Sequence, residues 1–494
     1  MNNNATQNTK DSKQKQTFKT FYSQLSSQFS YITIPVLVLQ LFLILPFQIT
    51  VFWGLQGSNV SGVVAIFVGI ISVLDIIFLV DSIYNLAVGS FGLKHNRLGR
   101  DSNDNLIIPK TLKKYNFALI VCAHNEQAVI GNTLQEMLKC NYPKSKLKIV
   151  VICDNCSDNT YKEANRIAVD HRDQITVLAR TDTINKGKPF AVKYAFDWIE
   201  INIPDYEAVS IADADNIYHK EFFGVMNWKL NTGSQIIQGY LGVKNQYDSM
   251  VSAASTLSYF SSAMVYWVSR QNIGMSGTIG GTGFVLSRNI LEIIGWDMIS
   301  LTEDLEFSTK AVLMGYNIDY AYDAITYDEK PTTLKVSFNQ RKRWMQGHQD
   351  VMIRYIVRLI LALLNPTKWN KLSLIDYILY LLRPTKKLVY GYFCVSIVLI
   401  SITNNIGLYS LSSLPKNIYA TGFVLITTMS LEYFCAVREG FKWYKIKEII
   451  YYYTLFNLND YLATFSGVFL ASPKGVWVKT EHKILVTVEK AMSN

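Results

Sequence analysis

Two textures alternate along the chain. Residues 32–53 are apolar without a charge, and 62–80 are apolar but for Asp75. Near the other end, 388–403 and 418–437 repeat that texture, with Glu432 inside the last run. Runs of this length predict helices that cross a bilayer. Between them, 115–344 reads differently. "FALIVCAHNE", "LKIVVICDNCSDNT" and "YEAVSIADADN" are apolar runs that each end in polar residues. Helix-like stretches at 129–140, 160–169 and 190–199 fall between them. Apolar strands alternating with helices predict βαβ units and a mostly parallel sheet. Ligands of such sheets sit at the C-terminal strand ends. Glu126, Asp154 and the pair Asp213 and Asp215 all fall at those ends.

Charge placement sets the topology. Lys10, Lys13, Lys15 and Lys19 precede the first span, and Lys94, Arg97, Arg100, Lys110, Lys113 and Lys114 follow the second. The loop between has no Lys or Arg, so both outer sides are expected in the cytosol. Arg438, Lys442, Lys445 and Lys447 bring the chain back to the cytosol after the last span. Three further segments predict amphipathic helices lying on the membrane: 351–364, with Arg354 and Arg358 four apart, 372–382, and 449–470. The last has a fifth span as its alternative, but Glu448, Asn457, Asn459 and Asp460 interrupt it.

The expected organisation is a polar tail (1–30), two spans (31–85), a cytosolic domain (110–348), interfacial helices (349–385), two spans (386–438), an interfacial or spanning helix (447–470) and a C-terminal segment (471–494). The tail is rich in Asn, Gln and Lys, a composition that predicts disorder.

Composition adds two constraints. The 494 residues are 49% apolar and only 17% charged, which suits a membrane protein, and the net charge is +10. A basic balance fits an anionic membrane or a phosphorylated substrate, and no Lys/Arg stripe with interleaved aromatics points to nucleic acid. Of six cysteines, Cys153 and Cys156 form a CxxC with no second pair to complete a zinc site. They read as small cytosolic thiols without a disulfide framework.

The acid pair after a strand suits a nucleoside diphosphate with Mg²⁺ or Mn²⁺, which takes one or two carboxylates plus substrate phosphates. "NKGKP" (185–189) offers Lys186 and Lys188 for a phosphate or base, although either alone reads equally well as a solvated lysine. "GGTGFVLSR" has three glycines in four positions, which lets backbone approach a ligand. Glu303 and Asp304 open an amphipathic helix that Thr302 is placed to cap; acids in a first helical turn also suit the helix dipole. Gln340, Arg343 and Trp344 precede the first amphipathic helix, where Trp344 serves either as a membrane anchor or as a stacking platform for a sugar.

With these pieces in order, the chain resembles the processive membrane glycosyltransferases of family 2: cellulose, hyaluronan and poly-N-acetylglucosamine synthases. DxD is Asp213, Ala214 and Asp215; TED is Thr302, Glu303 and Asp304; QxxRW runs from Gln340 to Arg343 and Trp344. The resemblance covers residues 116–483. It implies an α/β, Rossmann-like GT-A-type cytosolic domain inserted between transmembrane helices, at a cytoplasmic membrane. It implies Glu126, Asp154, Lys186 and Asp213 at the nucleotide, Asp213 and Asp215 at Mg²⁺ or Mn²⁺, and Asp304 as general base. Thr302, Glu303, Gln340, Arg343 and Trp344 would line the acceptor site. "GVWVKTEHK" looks like the family's gating loop, with Trp477, Lys479, Thr480 and His482 as its contacts. The chain departs in having Asn216 after the acid pair, where cellulose synthases often have His, with His219 three further on. Cys153 stands where many relatives have an acid.

The implied partners are a UDP-sugar donor, a growing polysaccharide and the lipid bilayer. The implied reaction is inverting polymerisation of a UDP-hexose, UDP-glucose favoured, into a β-linked capsular or extracellular polysaccharide secreted through the protein's own channel. A UDP-N-acetylglucosamine polymer synthase and a non-processive glycolipid synthase are the alternatives. A transporter with a regulatory cytosolic domain has too few spans and leaves the acids unexplained. A glycoside hydrolase would need two carboxylates flanking one bond.

Overall fold

The computed structural model describes residues 111–367 continuously, with 84–93, 106–109, 370–385, 443–469, 484–493 and a few isolated positions. The four expected spans and the proposed loop contacts Trp477, Lys479, Thr480 and His482 lie outside the described residues, apart from span-end positions. Among the described residues no helix is long and apolar enough to cross a membrane.

The chain divides into two units. One comprises Met1–His95, Met264–Gly274 and Leu388–Ile446; the other holds the rest. In the first, Asn272 donates to the Phe91 carbonyl at 2.7 Å, and Gly92 lies where a Cβ would collide with the Met264 backbone.

The second unit is built on an eight-stranded mixed sheet ordered β3-β2-β1-β4-β7-β6-β8-β5. Its strands are β1 (Phe117–Ala123), β2 (Leu147–Asp154), β3 (Ile175–Arg180), β4 (Ala208–Asp213), β5 (Ile217–Tyr218), β6 (Ile236–Val243), β7 (Phe284–Ser287) and β8 (Asp319–Asp328). β3, β2, β1 and β4 are parallel; β7 runs antiparallel between β4 and β6; β8 is parallel to β6. The helices are α1 (Ile130–Met137), α2 (Thr160–Ala168), α3 (Lys188–Asn202), α4 (Phe222–Asn231), α5 (Met250–Ser262), α6 (Arg288–Ile294), α7 (Glu303–Met314), α8 (Leu334–Leu364), α9 (Lys371–Leu381), α10 (Trp443–Phe469) and α11 (Val488–Ser493).

Strand β1 shows why its sequence is apolar throughout. Phe117, Leu119, Val121 and Ala123 enter one core with α1, α2 and α4, while Ala118 and Ile120 enter the other with α3, α6 and α7. A strand covered on both faces has no polar side to display. The three expected strands and helices of the first half are present. The mixed second half, β6, β7 and β8, and the edge strand β3 are additions to the expected parallel sheet.

Helix α8 carries Arg354 and Arg358 differently: Arg358 is exposed. Arg354 faces inward, pairing with Glu306 at 2.6 Å, while Ile353, Val357, Leu361 and Leu364 are more than 60% exposed. Among the described residues these apolar side chains form an exposed stripe along the helix. Val351, Tyr355 and Leu359 seat its other side on α7 and α9. In α10, Asp460 pairs with Arg341 of α8 at 2.8 Å, and a Cβ on Gly467 would lie 2.7 Å from the Lys342 carbonyl. Asp460, one of the polar residues that interrupt 449–470, is thus a docking contact.

Candidate active site

Strand β4 ends at Asp213, and the turn that follows carries Ala214, Asp215 and Asn216. Asn216 Oδ1 accepts the Asp213 N–H at 2.9 Å and the Thr282 hydroxyl, which locks the turn from two sides. Asp215 is buried. Its Oδ2 accepts the Glu329 N–H at 3.2 Å, and buried Lys244 donates to its carbonyl. Asp213 is the more open acid, with a side chain 42% exposed. His219 turns into the interior, where Nδ1 accepts the Glu221 N–H at 3.2 Å.

Lys188 joins the acid pair to the TED segment. Its Nζ lies 2.6 Å from Asp213 Oδ1, 2.6 Å from the Gly281 carbonyl and 3.6 Å from Glu303 Oε1. Burial opposes its charge, but Asp213 and Glu303 outweigh that and hold it above the ordinary lysine value. Lys186, the expected nucleotide lysine, is exposed on the preceding loop. A sequence signal separates the two. Lys188 is the first residue of α3, with Pro189 beside it and Gly187 before it at φ +105°. A lysine at a helix N-terminus opposes the helix dipole, so it is held there by something else.

The glycine-rich loop brings the remaining parts together. Gly281 has φ +80°, and a Cβ there would lie 3.3 Å from Asp304 Oδ2. Gly283 has φ +62° and would place a Cβ 2.5 Å from Thr326 Oγ1. Gln238 accepts the Gly280 N–H at 2.7 Å.

Thr302 precedes α7 without a side-chain cap bond. Instead it packs on α8, where a Cβ on Gly347 would meet it at 2.7 Å. Asp304 Oδ1 accepts the Leu305 N–H at 2.8 Å. Burial pushes the Glu303 carboxyl up to about 7, Lys188 opposing and Asp304 adding to the rise. Asp304 is raised as well, again by burial first. Of the two, Glu303 is the more buried and Asp304 the more accessible.

At the far strand ends, Asp154 Oδ1 accepts both Arg180 Nη1 at 2.5 Å and Asn155 Nδ2 at 3.1 Å. Asn155, directly after β2, and Asn125, two residues after β1, both have positive φ. Glu126 is buried, its N–H donating to Thr160 Oγ1 at 2.7 Å. Cys153 is buried and Cys156 half-buried, and both are free. Gln340, Arg343 and Trp344 are half-buried on α8.

Among the described residues no three His, Cys, Asp or Glu side chains cluster as a metal cage. The donor set at Asp213 and Asp215 is carboxylate oxygen, which fits a hard divalent cation completed by phosphates. Asn216, Thr282, Gln238 and Arg180 were not read from the sequence as site residues, and Lys188 was offered there beside Lys186 without preference over it. Only Lys188 carried a signal that could have been read.

Residues 115–347 match the family model "Glycosyltransferase like family 2". That segment is similar throughout to a glycosyltransferase family 2 domain, a sugar-transferring module. The chain is 29% identical over 244 residues to the probable glycosyltransferase YdaM of Bacillus subtilis (strain 168), covering 49% of this chain and 57% of that protein. It is 29% identical over 239 residues to the poly-beta-1,6-N-acetyl-D-glucosamine synthase of Staphylococcus aureus (strain NCTC 8325 / PS 47), covering 48% and 55%. The match therefore spans little more than half the length of these curated relatives. The fold is similar to that of the mannosyltransferase PcManGT from Pyrobaculum calidifontis, in complex with GDP-Man and Mn²⁺, with TM-score 0.51 and 18% identity over 79% of this chain and 98% of that one. The architecture is the GT-A-like fold with a curled mixed sheet.

Proposed function

We propose that the protein is a processive inverting glycosyltransferase that extends a β-linked polysaccharide from a UDP-sugar at a cytoplasmic membrane. The observation that carries this reading is the convergence of Asp213, Lys188, Gly281 and the TED acids. The relatives' printed activity moves the preferred donor from UDP-glucose to UDP-N-acetylglucosamine.

Asp213 and Asp215 would hold Mg²⁺ or Mn²⁺, which when bound supplies positive charge to the donor diphosphate. Lys188 stands beside Asp213 and adds fixed positive charge where the leaving nucleotide gains negative charge. Asp154 is held by Arg180 on one oxygen and keeps the other for the nucleoside, and Glu126 lies at the neighbouring strand end. Asp304 takes the proton of the acceptor hydroxyl. Its raised affinity for protons makes it a stronger base than an ordinary aspartate, and such a group contributes about 10²–10⁴-fold. Glu303, buried against Lys188, keeps that lysine between the two acid motifs. Gln340, Arg343 and Trp344 receive the acceptor sugar, with Trp344 as the stacking surface. Displacement on an α-linked donor then yields a β-linkage.

The exposed apolar face of α8 supports membrane seating beside the acceptor helix. Leu458, Leu462, Phe465 and Phe469 repeat the pattern on α10 at helical spacing. That same surface favours a second reading, transfer of one sugar to a lipid acceptor. Purified protein in lipid nanodiscs, given UDP-N-acetylglucosamine, Mn²⁺ and an oligosaccharide primer, separates the two. A ladder of products supports polymerisation, and a single addition to co-reconstituted lipid supports the second reading.

A further inference from the structure

Glu306 lies outside every motif discussed above, yet it is 1% exposed and fully engaged. Its Oε2 accepts the N–H groups of Ile299 and Ser300, each at 2.9 Å. Its Oε1 accepts Arg354 Nη1 at 2.6 Å and the Tyr355 hydroxyl at 3.0 Å. The first pair of donors belongs to the loop that leads into TED. The second pair belongs to α8, the helix of QxxRW. Four donors exhaust what one carboxylate can accept in this geometry. Burial alone would raise this carboxyl, but Arg354 and the two backbone N–H groups bring it below the ordinary value, so it is ionised at neutral pH.

Other contacts make the same joint. Ser300 Oγ donates to the Gly347 carbonyl at 3.3 Å, and the Thr302 N–H donates to Ser300 Oγ at 3.3 Å. Leu305 packs with Val351 and Tyr355. Arg354 is fixed from its other side by Asp350, at 2.6 Å and 3.2 Å. The loop 299–302 is thereby clamped between α7 and α8. Asp304 sits on the α7 side of the clamp, and Gln340, Arg343 and Trp344 sit on the α8 side.

We infer that Glu306 is a positioning residue that sets the distance between the base Asp304 and the acceptor platform on α8, and so decides between transfer to a sugar and loss of the donor to water. This rests on the transferase reading above. Glu306 touches no candidate donor-binding residue, so donor affinity is not its concern. Glutamine at this position would turn an amide N–H₂ toward donors on one side or the other, which loosens one half of the clamp.

The test compares Glu306→Gln, Arg354→Lys and Tyr355→Phe with the unmodified full-length protein in nanodiscs. The donor is whichever of UDP-N-acetylglucosamine or UDP-glucose the unmodified protein turns over with Mn²⁺. Nucleotide release is followed with and without a β-linked oligosaccharide acceptor. A displacement near 1 Å costs on the order of 10²-fold in a positioned reaction. Glu306→Gln is expected to lose about 10- to 100-fold in acceptor-dependent kcat, with donor KM and acceptor-free hydrolysis within about threefold. Arg354→Lys and Tyr355→Phe, milder changes to the same clamp, should lower the transfer-to-hydrolysis ratio in the same direction, and they keep the test alive if Glu306→Gln does not fold. Equal loss of transfer and hydrolysis, or a raised donor KM, in the variants that fold overturns the positioning role alone. No nucleotide release by the unmodified protein with either donor overturns the transferase reading and this inference with it.

Discussion

Replacing Lys188 with methionine is the sharpest perturbation of the site, because it removes one charge and keeps an unbranched side chain only one atom shorter. The ammonium lies 2.6 Å from Asp213 Oδ1. At that separation the gross attraction is about 6 kcal/mol at an effective dielectric near 20 and about 2 kcal/mol in bulk water. Asp213 is 42% exposed, so water screens the pair and the net figure lies near the lower bound, about 2 kcal/mol. If that interaction is fully felt at the leaving nucleotide, the rate falls about 30-fold. Loss of the cation also removes the main influence that opposes the rise of Glu303, buried beside Asp304, so it protonates further at neutral pH. The assay is nucleotide release at saturating Mn²⁺, read as kcat/KM for Lys188→Met and Lys186→Met side by side. Lys188→Met should fall about 30-fold and Lys186→Met less than about threefold. The reverse order would refute the placement of the cation and restore Lys186 as the nucleotide lysine.

Asp304→Asn should lower acceptor-dependent turnover by about 10²–10⁴-fold with donor KM retained; normal turnover would remove the base assignment. Trp344→Ala should cut chain elongation more than donor hydrolysis, measured as product length against released nucleotide, and equal effects on both would undo the stacking platform. Gly347→Ala forces a Cβ to within 2.7 Å of Thr302, an overpacking that costs about 1–3 kcal/mol and lowers the melting temperature. Glu303 predicts a pH dependence. Its folded-state carboxyl is raised from 4.5 to about 7, so the folded state keeps the proton longer than the unfolded chain. Its contribution to stability is therefore greatest below about pH 4.5 and declines up to about pH 7, by on the order of 3 kcal/mol. Thermal melts of the unmodified protein and Glu303→Gln between pH 5 and 8 should converge at low pH and diverge toward pH 7, with the variant more stable there; parallel curves would contradict the burial argument.

The parallel half of the sheet was legible because β1, β2 and β4 are covered on both faces and so read as unbroken apolar runs ending in acids. β3 was harder, since "ITVLAR" is partly open and ends in a charge. β6 and β8 carry glycines, tyrosines and acids whose burial depends on partners far along the chain, such as Gln238 reaching the glycine-rich loop. The acids of DxD and TED could be found locally because each lies at an element end. Lys188 is separated from Lys186 in the sequence only by the Gly187 before it and the Pro189 after it, which mark a helix start; that Gly187 turns the chain at φ +105° is seen only in the structure. Glu306 was invisible for a different reason. Its four donors come from residues 299, 300, 354 and 355, and no local pattern joins those positions. The spacing of Arg354 and Arg358 on α8 could be read from the sequence, but the pairing of Arg354 with Glu306 depends on a partner outside the helix.

The proposed UDP-sugar polymerase activity is best tested by nucleotide release from the protein in nanodiscs. A panel of UDP-sugars would be supplied with Mg²⁺ or Mn²⁺, and product length read from the same reactions. UDP release is expected from one donor, UDP-N-acetylglucosamine first and UDP-glucose second, with a glycosidase-sensitive polymer as product. No release from any donor, or release with only a single sugar added to lipid, would contradict it.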